Sequence, residues 1–99
     1  MMDVTRGSRG EVVVRVDGVF DTAAATQLAA WLRGAPAGEP IVVDFGGVRD
    51  CHDFGLAAIA EELAGRAGVT VRGISRHQQK LLRYFGVELS DEARRRATG

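Results

Sequence analysis

Strand-like apolar runs alternate with helical segments along this chain. Two runs rich in β-branched residues, at 12–16 and 41–45, lie on either side of a segment with helical periodicity. The apolar residues of that segment follow the spacing of one helix face: Ala25, Leu28, Ala29 and Leu32. Strands that alternate with helices need crossover connections, which make the strands parallel. The pattern predicts an α/β fold with a mixed β-sheet, parallel core strands and helices packed on the sheet.

Turn and capping residues predict the element order β-β-α-β-α-β-α-α. A Gly-Ser-Arg-Gly turn at 7–10 joins a short first strand near Val4 and Thr5 to the strand at 12–16. Asp21 is the expected N-cap of the first helix, and Gly34 ends it. The remaining elements expected are a strand at 41–45 buried on both faces, a helix from Leu56 to Ala67 closed by Gly68, a strand at 69–74, a helix from Ser75 to Phe85 that opens with a capping box, and a short terminal helix at 90–96.

Length and charge limit the classes of function. The 99 residues, 45% of them hydrophobic, fit one domain spanning 1–99. Thirteen basic and thirteen acidic residues cancel, so the overall charge favours neither nucleic acid nor an anionic membrane. No window approaches the roughly 20 apolar residues of a membrane span. The single cysteine, Cys51, fits a reducing compartment. We expect a soluble cytoplasmic protein without nucleic-acid binding or membrane insertion.

The segment from Gly46 to Asp53 is predicted to be a short polar loop between a strand and a helix. In α/β folds, binding sites cluster at the carboxyl ends of the strands. A helix N-terminus also presents free N–H groups and the positive end of its dipole. This junction is therefore where we expect a partner to bind. The residues expected to contact the partner are Asp50, His52, Asp53, Phe54, Gly55 and Leu56.

Catalytic chemistry is the alternative at this junction. Cys51, His52 and Asp53 are the residue types of a thiol nucleophile system, so the second hypothesis is a small enzyme or ligand-binding domain that uses them. Adjacent residues diverge in direction, however, and this disfavours a local catalytic set. His77 could join His52 at a metal only through the fold. We expect solvated histidines, no metal site, no cofactor and no enzymatic activity.

Three other features have a default structural interpretation. Phe54 is expected to be a buried wedge that fixes the loop, with an exposed anchor for a partner as the alternative. Trp31 is expected to pack at the edge of the core. The run from Arg94 to Arg96 is interpreted as a solvated helix end that matches the dipole, without a function.

Taken in order, several segments resemble the STAS family over about residues 10–89. The landmarks are the segments 16–21 and 42–48, the pair Gly55-Leu56 and the helix at 79–87. The resemblance implies a STAS-like fold and a non-enzymatic interaction module, as in the anti-sigma factor antagonists of bacterial transcription regulation by partner switching. The family also includes cytoplasmic domains of sulfate transporters and small subunits attached to transport ATPases. The implied partner is an anti-sigma factor with kinase activity or a transporter ATPase.

The resemblance also implies a phosphorylation switch that this chain lacks. In anti-sigma factor antagonists the pattern is Asp-Ser-Ser-Gly-Leu, and a kinase phosphorylates the first serine. Matching Gly55-Leu56 places His52 at the aspartate, Asp53 at the phosphorylated serine and Phe54 at the second serine. No serine or threonine lies between Gly46 and Leu56. Asp53 is then either a partial mimic, with about one negative charge where phosphoserine carries about −1.5 to −2, or an ordinary helix N-cap.

Overall fold

A four-stranded mixed sheet and three helices make up the computed structural model, which describes residues 2–89. The elements are β1 (Met2–Arg6), β2 (Val12–Phe20), α1 (Thr22–Gly34), β3 (Ile41–Cys51), α2 (Asp53–Ala64), β4 (Val69–Arg72) and α3 (Arg76–Tyr84). The strands lie in the order β1-β2-β3-β4, with β1 antiparallel to β2 and the others parallel. The predicted α/β fold is confirmed. The predicted helix at 90–96, with the run from Arg94 to Arg96, lies outside the described residues.

One face of the sheet carries the core. The strand register places Val14 beside Val43 and Val43 beside Val71, and all three are buried together with the apolar stripes of α1 and α2. On the opposite face, Val42 and Asp44 are only partly buried. The prediction that this part of β3 is buried on both faces is therefore wrong. β-Branched residues favour strands whether or not they are fully buried. A run of them therefore predicts a strand but does not show that both of its faces are buried.

β3 is longer than the sequence predicts, and the predicted loop at 46–53 is wrong. The strand continues to Cys51, and only His52 separates it from α2. Its pairing with β2 shifts register between Arg15 and Asp17 and again between Gly18 and Val19. Glycine and aspartate are disfavoured in regular strands, which is why this segment resembles a loop. Register irregularities accommodate such residues, and they allow β3 to run on to the start of α2.

Two elements end earlier than predicted, each immediately before a glycine. α2 ends at Ala64, and the amide of Gly65 bonds back to the last turn, so Ala67 lies beyond the helix and is exposed. β4 ends at Arg72 instead of residue 74, because Gly73 adopts a φ of +76° that a regular strand does not permit.

Other predicted features are confirmed. The hairpin of β1 and β2 forms, and the Asp21 carboxylate accepts the Ala24 amide at 3.0 Å as an N-cap. Ser75 and Gln78 form the capping box of α3. Trp31 is half-buried at the edge of the core. Across residues 2–89, none of the helices is long and apolar enough to cross a bilayer.

Candidate partner-binding site

A single residue makes the turn from β3 into α2, and backbone hydrogen bonds hold it firmly. The His52 amide donates to the Phe20 carbonyl at 2.9 Å, which ties the turn to the end of β2. The His52 carbonyl accepts the amides of Gly55 and Leu56 at 3.0 and 3.2 Å, which forms the first turn of α2. The carboxyl ends of β2 and β3 and the start of α2 are thereby fixed relative to one another.

Gly55 is required by the close approach of α2 to the start of α1. A Cβ atom at this position would lie 2.9 Å from the Phe20 carbonyl oxygen and 3.0 Å from the Asp21 carbonyl. Gly55 is buried, and the Leu56 side chain is completely buried in the core. These two residues therefore support the surface from below. Their role as direct partner contacts stays a prediction, and both residues are buried in the free chain.

Phe54 projects from the molecule with 81% of its surface exposed. It precedes Leu56 by two positions, so it lies about 200° around the helix from a residue that points into the core. The expected burial of Phe54 is wrong, and the alternative, an exposed aromatic side chain, describes the structure. Asp50, His52 and Asp53 are also exposed. We call the surface made by Asp50, His52, Asp53 and Phe54 the α2 tip.

Asp53 is the first residue of α2 and does not cap it. The N-cap position belongs to His52, whose side chain makes no capping hydrogen bond. The interpretation of Asp53 as an N-cap is therefore wrong. Its carboxylate Oδ1 lies instead 3.3 Å from Nε2 of His77 on α3. A negative charge in the first turn also interacts favourably with the helix dipole, typically by ~0.3–1 kcal/mol.

The two histidines of this region each face a different carboxylate. His52 Nε2 lies 3.4 Å from Asp50 Oδ2, while His77 pairs with Asp53, and all four side chains are exposed. Exposed pairs of this kind contribute only ~0–1 kcal/mol. Among residues 2–89, no three His, Cys, Asp or Glu side chains lie close enough together to hold a metal ion.

Cys51 is poorly suited to nucleophilic chemistry. Partial burial, together with the nearby carboxylates of Asp53 and Asp50, raises the pKa of its thiol to about 11. The thiol is therefore protonated at neutral pH, whereas a cysteine nucleophile must be a thiolate. Within the described part of the chain, neither histidine hydrogen-bonds the sulfur. The arrangement disfavours the catalytic alternative.

A group of cations on α3 lies next to this site and was not predicted from the sequence. Arg76, Lys80 and Arg83 are all exposed on α3, which also carries His77. The sequence does contain a signal for this group. Basic residues recur at i, i+4 and i+7 within residues 76–86, a segment that contains no acidic residue.

Comparison with known families identifies the domain. A family model described as "Mlab, STAS domain" matches residues 4–89. The chain belongs to the STAS family. This confirms the resemblance predicted from residues 10–89, and the family model extends it to β1. A comparison with curated proteins finds no match.

Two solved structures have the same fold as this STAS domain. The first is the anti-sigma factor antagonist SpoIIAA in its unphosphorylated form, with a TM-score of 0.62 and 22% identity over 99% of this chain and 94% of that one. The second is a serine-to-glutamate variant of RsbS from Moorella thermoacetica, with a TM-score of 0.56 and 20% identity over 93% of this chain and 83% of that one. At these identities the similarity concerns the fold.

Proposed function

We propose that this protein is a non-enzymatic binding module, comparable in role to an anti-sigma factor antagonist, that docks a protein partner through the α2 tip. The exposure of Phe54 is the observation that carries this proposal. Burying a phenylalanine side chain stabilises a complex by about 1.5–3 kcal/mol, and aromatic anchors ringed by polar groups are typical interface hot spots. The charged side chains around Phe54 supply such a ring.

Asp53 keeps the α2 tip in one charge state under this proposal. No hydroxyl residue lies between Gly46 and Leu56, so kinase action on serine or threonine cannot change the charge there. The Asp53 carboxylate is exposed and makes no cap, which leaves it accessible to a partner. The carboxylate is a partial mimic of phosphoserine, with less charge and one oxygen fewer.

The proposed partner is a cytoplasmic protein of the anti-sigma factor and kinase type, in partner-switching regulation of transcription. A transporter ATPase is the other partner that the family resemblance supports. The raised pKa of the Cys51 thiol speaks against the enzymatic alternative. Both kinds of partner would be recognised by the same exposed surface, so identification of the bound protein distinguishes them.

Site-specific photo-crosslinking in the source cell tests the proposal. The full chain carries p-benzoylphenylalanine in place of Phe54, and the control chain carries it in place of Val4, an exposed apolar residue on β1. We expect a defined protein to crosslink from position 54 and not from position 4, with mass spectrometry identifying it. Crosslinking to no protein, or to the same proteins from both positions, would overturn the proposal.

A further inference from the structure

The exposed side of α3 is basic along its whole length. Arg76, Lys80 and Arg83 follow one another at i, i+4 and i+7, so they form one row on the helix surface. Tyr84 lies next to this row with 83% of its surface exposed. The buried residues of this helix, Gln79 and Leu82, pack against the domain. We call the surface made by Arg76, Lys80, Arg83 and Tyr84 the α3 basic side.

Four other arginines among residues 2–89 have carboxylate partners, and these cations do not. Arg6, Arg15, Arg33 and Arg72 each lie within ion-pair distance of a carboxylate. Within residues 2–89, none of the three cations of the α3 basic side forms such a pair. Three like charges gathered on one helix face repel one another. An acidic surface brought against them would relieve this repulsion.

The α3 basic side is continuous with the α2 tip. His77, in the first turn of α3, lies 3.3 Å from Asp53 in the first turn of α2. The row from Arg76 to Arg83 extends about 10 Å from that contact along the helix. A partner seated on Phe54 would cover both surfaces within an interface of ordinary size, about 800 Å² on each side.

We infer that the partner docked on the α2 tip also presents an acidic patch to the α3 basic side. The inference rests on the proposed function and specifies the chemistry of its partner. The combined surface carries both signs of charge, because the α2 tip contributes Asp50 and Asp53 and the α3 basic side contributes three cations. A uniformly anionic membrane or nucleic acid would be repelled by those carboxylates, and a chain with no net charge is not steered toward either. A protein surface can match both signs.

Binding measurements with the protein that crosslinks from position 54 test this inference. The purified protein is titrated with the full chain and with the double variant Arg76→Glu and Lys80→Glu. The matched control is Arg9→Glu, which reverses an exposed arginine in the turn between β1 and β2. We expect the double variant to raise the Kd about tenfold and to lose most of the salt dependence between about 0.01 and 1 M salt, while the control leaves both unchanged.

The outcomes separate this inference from the proposed function. If the double variant binds with wild-type affinity while Phe54→Ala binds more weakly, the partner has no acidic patch against α3. The α2 tip then remains the docking site. Wild-type affinity in Phe54→Ala would contradict the proposed function itself. A third measurement uses vesicles of phosphatidylcholine and phosphatidylserine. If the wild-type chain binds them and the double variant does not, the α3 basic side binds lipid, and the inference of an acidic protein patch is wrong. Unchanged circular dichroism of each variant confirms that it is folded.

Discussion

At the scale of single residues, Asp53 contributes one of the two carboxylates of the α2 tip. Its carboxylate is exposed at the start of α2 and has His77 as its neighbour. If the partner recognises this fixed charge, Asp53→Asn and Asp53→Ser should weaken binding by up to about fivefold, since an exposed charge pair contributes ~0.2–1 kcal/mol. Asp53→Glu should retain most of the affinity. Titration calorimetry with the crosslinked partner measures these changes.

Asp3→Asn is the matched control for that series, because Asp3 is another exposed aspartate, located on β1. It should bind with wild-type affinity. Equal affinities of the wild-type, Asn and Ser forms at position 53 would show that the carboxylate has no part in recognition. In that case Asp53 would matter only through its interaction with the helix dipole.

Cys51 provides a prediction with a defined pH dependence. Because burial and two carboxylates raise the pKa of its thiol from 9.0 to about 11, the thiolate fraction at neutral pH is lowered roughly 100-fold. Iodoacetamide should modify the folded protein slowly, with a rate that rises toward a midpoint near pH 11. In urea the midpoint should return to the ordinary range. A midpoint at or below pH 9 in the folded protein would support a reactive thiolate.

The same shift makes a contribution to stability with a definite sign. The folded state holds the Cys51 proton more tightly than the unfolded state does, so the contribution is fully present below pH 9.0. It is lost as the pH rises from there toward about 11. The free energy of unfolding of the wild-type chain should therefore fall across this range more than that of Cys51→Ala.

At the scale of secondary-structure elements, Gly55 sets how closely α2 approaches the junction of β2 and α1. Gly55→Ala would place a Cβ atom 2.9 Å from the Phe20 carbonyl oxygen, and the backbone cannot easily move aside. We expect it to lower the free energy of unfolding by about 1–3 kcal/mol, as overpacking does. Urea denaturation monitored by circular dichroism measures this change.

Gly34→Ala is the control for that substitution. Gly34 is also helical, at the end of α1, and a Cβ atom there meets no other atom within 4 Å. Alanine has the higher helix propensity, so this variant should be neutral or more stable by up to ~1 kcal/mol. If both substitutions had the same effect, the close approach of α2 would not be what requires glycine at position 55.

The elements differed in how well the sequence predicted them. α1 and α3 were predicted well because their N-caps and apolar periodicity agree, as with Asp21 and with the Ser75 capping box. β3 was predicted six residues too short, since its second half contains Gly46, Gly47 and Asp50. Pairing with β2 keeps these residues extended, and such long-range pairing has no local signal in the sequence.

At the scale of the whole molecule, the fold and the location of the site follow from the order of the elements. Alternating strands and helices require the parallel arrangement, and this brings the ends of β2 and β3, with the start of α2, to one edge of the sheet. The exposure of individual side chains was not predictable in this way. Phe54 points outward because Leu56 occupies the core, and that depends on where α2 begins.

The charges of the whole molecule cancel in number but are unevenly distributed over its surface. The chain carries equal numbers of acidic and basic residues, but the α2 tip contains two carboxylates while the α3 basic side contains three cations. The contact between Asp53 and His77 lies where the two surfaces meet. Under the proposed function, a surface of this kind would select a partner by its charge pattern as well as by the apolar contact at Phe54.

The affinity of Phe54→Ala for the crosslinked partner tests the central claim most directly. The claim predicts that removal of this exposed ring raises the Kd about 30-fold, equivalent to ~2 kcal/mol, without changing the free energy of unfolding by more than ~0.5 kcal/mol. Val4→Ala, which trims an exposed apolar residue on β1, should bind like the wild type. Equal Kd values for Phe54→Ala, Val4→Ala and the wild-type chain would contradict the claim that this protein docks through the α2 tip.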